Sequence, residues 1–127
     1  MVTSDGIDIN KVNFGIPYIH IPEEVFLNPA LTAIDKLTFG ILQNLSLSSS
    51  GCQATDEYLS KIVQCNRHTV QRALRILNEN KYIIIKWVKI GDHPDVMINV
   101  RRIFIDTNYK TRYRSMVKNF HNCHLNY

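Results

Sequence analysis

The chain has 127 residues, of which 45% are hydrophobic and 20% are charged, enough to bury a core in one domain without disulfides or metal. The opening MVTSDGIDIN has no basic start or apolar stretch, and no apolar run is long enough to cross a membrane, so we expect a cytoplasmic protein without a secretory signal. Residues 1–60 carry two Lys or Arg against seven Asp or Glu, whereas residues 61–127 carry thirteen against four, which predicts a polyanionic partner for the second half.

The first 22 residues are predicted to form an arm, because glycines and prolines interrupt them. Within the arm, residues 18–21 (YIHI) are compatible with a short extended segment. After Pro22 the chain supports at most one helical turn, since Pro29 blocks its continuation. We therefore expect an arm at residues 1–22, one domain at 23–105 and a basic, aromatic tail or helix at 106–127.

The first long helix is predicted to begin after Thr32. The spacing of Thr32 and Asp35 is that of a capping box, in which the hydroxyl accepts from an otherwise unpaired amide and the acid lies at the positive helix end. Apolar positions then follow one face with a period of 3.6 residues: Ile34, Leu37, Thr38, Ile41, Leu42 and Leu45. The serines and Gly51 of residues 46–52 predict a turn.

Two further helices are separated by only a short break. One is predicted over residues 56–64, with Thr55 as its cap and Leu59, Ile62 and Val63 on its buried side. Asn66 is the predicted cap of the next, which continues to about residue 80. Cys65 in the break is expected to be a small buried hydrophobe. The apolar face of the third helix comprises Val70, Ala73, Leu74 and Leu77.

Two β-rich runs complete the pattern, at residues 82–90 and 96–105. The connection GDHPD between them predicts a hairpin. Helices joined by a three- to four-residue turn are typical of a helix-turn-helix, and a hairpin directly after it is typical of a wing. The sequence therefore predicts an α+β fold, a winged helix-turn-helix with a three-helix core and a β-hairpin wing, followed by either a tail or an extra C-terminal helix.

The third helix carries a second face, which we call the basic face: Arg67, His68, Gln71, Arg72 and Arg75. Arg can bind guanine bidentately and Gln can bind adenine in the same way, so these residue types suit base reading in the major groove. His68 and Thr69 can also reach a phosphate or a base edge. Lys86, Lys89 and Arg101 on the wing, together with the tail, are predicted to contact phosphates. The function indicated is sequence-dependent binding of double-stranded DNA.

Two other interpretations stay open. An amphipathic helix with ordinary solvated charges has the same pattern, although no acid precedes Glu79 in this helix, so the usual (i, i+4) ion pairs are not expected. A winged helix can also act as an adaptor for an acidic protein partner without binding DNA. The Arg pair at 101 and 102 adds little, because adjacent strand residues point to opposite faces.

From residue 18 to about residue 105 the chain resembles the winged helix-turn-helix domains found at the N-terminus of phage and plasmid replication initiators. The resemblance rests on these residues: Ile21, Pro22, Phe26, Leu31, Lys36 and Gly40, then Leu59, Ser60, Thr69, Val70, Leu74 and Leu77. It implies origin recognition or transcription control, often by a homodimer, with replication or transcription proteins as partners. The glycine usual before the first wing strand is replaced by NENKY, where we expect Asn80 to be left-handed.

The tail has a helical stripe formed by Tyr109, Tyr113, Met116, Val117 and Phe120. Docking on the domain, dimerisation and an additional DNA contact are the open alternatives for it. HNCH (residues 121–124) lacks the matched second pair of a zinc site, so no metal or other cofactor is expected. The three cysteines have no C-x-x-C pair, which favours reduced thiols. No nucleotide-binding, hydrolase or metalloprotease motif is present, so we do not expect an enzyme.

Overall fold

The computed structural model describes residues 18–112. Its elements, in chain order, are α1 (Glu23–Phe26), α2 (Ala33–Leu45), α3 (Asp56–Val63), α4 (Arg67–Glu79), β1 (Ile83–Ile90), a 3-10 turn (Pro94–Val96) and β2 (Ile98–Ile105). The chain is helical again at residues 109–112. The predicted α+β class is confirmed. None of the helices within residues 18–112 is long and apolar enough to span a bilayer.

All three predicted helix caps are confirmed. Thr32 and Asp35 form the reciprocal capping box, in which the Asp35 carboxylate accepts from the Thr32 amide at 2.9 Å. The Thr55 hydroxyl accepts from the amide of Tyr58 at 3.1 Å, and Asn66 Oδ1 accepts from the amide of Thr69 at 2.8 Å. Each such cap is worth about 1 kcal/mol, so the starts of α2, α3 and α4 are encoded locally.

Helix α2 buries a wider face than its periodicity predicts. Leu37 was expected on the buried stripe but is 38% exposed, whereas Phe39 is fully buried. The Phe39 ring makes edge contacts with Tyr82 and Tyr109, at centroid distances of 5.9 and 5.5 Å. These two rings come from distant parts of the chain and cover a side of α2 that the pattern leaves to solvent.

The turn between α3 and α4 depends on Gln64, which is left-handed with φ 63°. The amide of the next residue, Cys65, donates back to the carbonyl of Ser60 at 3.2 Å, as in a helix C-cap. Asn66 then caps the following helix. This turn places α3 and α4 against each other, with α4 also packed on α2.

The expectation that Asn80 is left-handed is wrong. Asn80 has φ −86° and Lys81 has φ 62°. The Asn80 side-chain amide donates to the carbonyl of Ile76 at 2.7 Å, which holds Asn80 on the last turn of α4. The amide of Tyr82 donates to the carbonyl of Leu77 and that of Lys81 to Asn78, the Schellman pattern with Lys81 as its left-handed residue.

The predicted hairpin is confirmed as an antiparallel pair of strands, with Ile85 opposite Ile103 and Ile90 opposite Ile98. Its second strand begins at Ile98 rather than at residue 96, because Pro94–Val96 form the 3-10 turn. On the other side of β2, Cys52 exchanges two backbone hydrogen bonds with Ile103, at 2.8 and 2.9 Å. The segment between α2 and α3 thus adds a third short extended piece to the sheet.

The core lies between α2, α3, α4 and one face of the hairpin. Val70, Leu74 and Leu77 of α4 are buried there, as the sequence predicted. On α3, Leu59 is buried, and Ile62 and Val63 are partly buried against the core. Because α4 contributes this one side to the core, its opposite side is left at the surface.

Both ends of the described chain pack on the domain. A Cβ at Gly40 would lie 2.5 Å from Ile19 Cγ2 and 3.2 Å from the His20 carbonyl, so residues 18–21 cross α2 closely and without regular secondary structure. Tyr109 is 2% exposed, and Arg112 donates to the carbonyls of Asn80 and Lys81. The tail therefore begins by docking on the domain, while the rest of its predicted stripe lies outside residues 18–112.

Candidate nucleic-acid interface

The outer side of α4 carries the basic face, and all five of its residues are exposed: Arg67, His68, Gln71, Arg72 and Arg75. They lie opposite Val70 and Leu74, which are buried, as the helical period requires. There is no acidic residue in the first turn of α4. The structure thus brings together on one surface the side chains that the sequence singled out on this helix.

Within residues 18–112, one ion pair involves a residue of the basic face, and it is weak. Arg75 Nε lies 4.0 Å from Glu79 Oε1, and both side chains are about two-thirds exposed (67% and 65%). An (i, i+4) pair therefore does form in this helix, contrary to the expectation. Pairs this exposed are worth roughly 0–1 kcal/mol, so Arg75 can exchange Glu79 for a phosphate or a base at small cost.

Thr69 is only partly exposed, and its hydroxyl donates to Asn66 Oδ1 at 2.9 Å. Asn66 Oδ1 therefore accepts from both the amide and the hydroxyl of Thr69. This residue helps to cap α4, and its predicted contact with nucleic acid stays a prediction.

Asp56, at the start of α3, connects three elements in what we call the Asp56 bridge (Asp56, Gln71 and Arg101). Its Oδ1 lies 2.6 Å from Arg101 Nη1 of β2, and its Oδ2 accepts from Gln71 Nε2 of α4 at 3.1 Å. Arg101 Nη2 also donates to the carbonyl of Ala54 at 2.9 Å. The Arg101 and Asp56 side chains are only 16% and 19% exposed, so the Arg101 guanidinium is held against the domain by these contacts. Its predicted phosphate contact stays a prediction.

Lys86 and Lys89 of β1 are both exposed but lie on opposite faces of the hairpin. Lys86 pairs with Arg102 and has its ammonium 5.4 Å from the centroid of the Phe104 ring. Lys89 pairs with Asn99, two positions along from the pair Trp87 and Arg101. Because side chains alternate between the faces of a strand, these four residues lie on the same face of the hairpin. Lys89 therefore shares a hairpin face with the Asp56 bridge, whereas Lys86 does not.

Sequence reasoning missed two residues of this region. Asp56 has no local signal beyond its place in the first turn of α3, because its partners Gln71 and Arg101 lie 15 and 45 positions away. Trp87 is 66% exposed and lines a groove of about 350 Å³ together with Asp56 and Arg101. A large apolar residue in a predicted strand is expected to be buried. The exposure of Trp87 depends on the tertiary fold, which the sequence pattern does not contain.

The hairpin tip has a different character from α4. Asp92 and Asp95 are exposed there, and Asp95 lies 3.5 Å from His93. Val96, Met97 and Ile98 beside them are also exposed. An acidic and apolar tip disfavours contact with phosphates, so the tip adds no support to the phosphate contacts that the sequence predicts for the hairpin.

The two cysteines within residues 18–112 belong to the hydrophobic core or pack against it. Cys52 is buried and Cys65 is half-buried, and neither forms a disulfide. Burial raises the pKa of the Cys52 thiol, which makes it a poor nucleophile. Within residues 18–112 no three His, Cys, Asp or Glu side chains are grouped to hold a metal. The HNCH segment lies outside that range.

Comparison of the chain with protein-family models, with curated proteins and with solved structures finds no significant match.

Proposed function

We propose that this chain is a winged helix-turn-helix that binds double-stranded DNA in a sequence-dependent way. The order of the elements supports the proposal: α2 is followed by Cys52, which pairs with Ile103 of β2, and then by α3, α4 and the hairpin. A short turn joins α3 and α4. The observation that carries the proposal is the basic face, because an exposed cationic side of a helix buried on its other side suits insertion into the major groove.

In this arrangement Arg72 and Arg75 contact guanine edges or phosphates, and Gln71 contacts adenine. Arg67 and His68, in the first turn of α4, lie where a recognition helix meets the DNA backbone and the first bases. Lys89 adds a phosphate contact from the wing, and Lys86 adds one only if the DNA also reaches the outer face of the hairpin. We propose a role in plasmid or phage replication initiation or in transcription regulation, by a homodimer in the cytoplasm.

One observation favours a second candidate, a winged-helix adaptor that binds protein rather than DNA. The hairpin tip combines Asp92 and Asp95 with the exposed side chains of Val96, Met97 and Ile98. Apolar residues rimmed by charge are typical of a protein contact. The two candidates use different surfaces, so variants of α4 and of the tip separate them.

The test is retention of duplexes from a random-sequence pool by the purified full chain at low salt, followed by sequencing of the retained fraction. DNA recognition predicts an enriched motif, and a two-fold symmetric motif would support the dimer. Repeated copies of the motif in a replication origin would favour initiation, whereas a single promoter site would favour regulation. Failure to retain any duplex at low salt would reject DNA binding and leave the adaptor.

A further inference from the structure

The Asp56 bridge joins the basic face to the interior of the domain. Gln71 is the basic-face residue whose side chain donates to Asp56, at 3.1 Å. Arg101 holds the other carboxylate oxygen at 2.6 Å and is itself fixed by the Ala54 carbonyl. Because Asp56 and Arg101 are mostly buried, the carboxylate is a fixed reference point for the Gln71 amide.

An ionised carboxylate only accepts hydrogen bonds, so the Gln71 group that faces Asp56 must be the nitrogen. The hydrogen bond to Asp56 therefore selects one of the two flipped orientations of the Gln71 side-chain amide. One N–H of the amide is used by Asp56, while its second N–H and Oε1 stay available on the exposed side of α4. A donor and an acceptor side by side complement N7 and the N6 amino group of adenine in the major groove.

We propose that Asp56 is a positioning residue that orients Gln71 to read an adenine, with Arg101 holding Asp56 in place. This inference rests on the proposed DNA binding. It adds that the base read by Gln71 is adenine and that Asp56 determines this preference. Asp56 itself does not touch the base. Its removal is therefore expected to affect discrimination at one base pair rather than affinity at every position.

The charge of Asp56 gives a second, opposite effect. A carboxylate near the basic face repels phosphates, and it occupies the Arg101 guanidinium. Replacing Asp56 with Ala removes the repulsion and releases Arg101. Affinity for unrelated duplex should therefore stay equal or rise, while discrimination at the adenine falls. A purely structural role of Asp56 would instead lower both.

The test measures dissociation constants of the full chain for its selected duplex and for each single-base-pair variant of that duplex. Gln71→Ala is expected to relax discrimination by about tenfold at one A·T pair. Asp56→Ala should relax the same pair, and the double variant should lose no more there than Gln71→Ala alone. Glu57→Ala is the matched control, because it removes a neighbouring acid that pairs with Lys61 instead. Asp56→Asn keeps an acceptor oxygen and should restore part of the discrimination.

Three results would overturn the inference alone: full discrimination in Asp56→Ala, equal weakening at all positions, or a G·C pair as the one that Gln71→Ala relaxes. If Asp56→Ala does not fold, Asp56→Ser replaces it, since Ser keeps a small polar residue in the first turn of α3 but is too short to reach Gln71. If the unmodified chain selects no duplex, the proposed function fails and this inference fails with it.

Discussion

Gln71 Nε2 of α4 donates to Asp56 Oδ2 of α3 at 3.1 Å. The Gln71 side chain, which belongs to the exposed basic face, is thus held by a hydrogen bond to the neighbouring helix. Arg101 extends the same contact to β2. The side of α4 that we propose to meet DNA is thus connected to α3 and to the β1–β2 hairpin through one carboxylate. A change at Asp56 is therefore expected to alter the orientation of Gln71, and with it the recognition of one base pair.

Binding is expected to weaken steeply with salt. If four to six phosphates are neutralised, log K should fall with log salt concentration at a slope of about −4 to −5, because counterions are released from the DNA. Fluorescence anisotropy of a labelled duplex between about 50 and 200 mM salt measures this slope. A flat response would point to the adaptor instead.

Replacing Lys81 with Gly should stabilise the protein. Lys81 has φ 62°, and a left-handed conformation costs a residue with a Cβ about 1–2 kcal/mol. Part of this gain is offset by the greater freedom of Gly in the unfolded chain. Urea unfolding should therefore show a rise of about 0.5–1 kcal/mol in the free energy of unfolding.

Asn80→Gly is the matched control for Lys81→Gly. Asn80 has a negative φ of −86° and its side chain donates to the Ile76 carbonyl, so Gly at this position should lower stability. The reverse order of the two variants would contradict the observed C-cap of α4.

Stability should fall at high pH through Tyr109. Burial, with a smaller contribution from the Glu24 carboxylate, raises the pKa of the Tyr109 phenol. The folded state therefore holds this proton more tightly than the unfolded chain, and its stabilising effect is complete below the ordinary Tyr pKa of about 10. As the pH rises above that value, the unfolded chain loses the proton first and stability declines.

Tyr109→Phe should flatten this decline, measured by urea unfolding at a series of pH values. Tyr18→Phe is the control, since Tyr18 is largely exposed and its replacement should leave the slope unchanged. An equal slope in Tyr109→Phe and the unmodified protein would show that other groups cause the loss.

Local signals predicted much of the fold. The Thr32, Thr55 and Asn66 caps each depend on residues no more than three positions away, so a short pattern contains the whole interaction. The buried face of α4 follows from one period. The helix caps and the buried face of α4 are present in the folded protein because the tertiary contacts agree with the local preferences.

What the sequence did not show depends on distant pairs. Leu37 is exposed although its period predicts burial, whereas Phe39, which is not part of that stripe, is buried against Tyr82 and Tyr109. The left-handed residue fell at Lys81 because the Asn80 side chain found a partner in the helix. Asp56 and Arg101 are 45 positions apart, and no periodicity relates them. The prediction for Arg101 considered its charge and not the carboxylate that the fold places beside it.

The most direct test of the account is anisotropy titration of a duplex with the unmodified chain and with Arg72→Ala/Arg75→Ala, at low salt. Both arginines are exposed, so the double variant should keep its thermal midpoint and lose at least about tenfold in affinity, as expected when contacts to charged groups are removed. Lys36→Ala on α2, whose buried side packs on α4, should bind like the unmodified chain. Equal affinity of the double variant and the unmodified chain would contradict the proposal that α4 binds DNA.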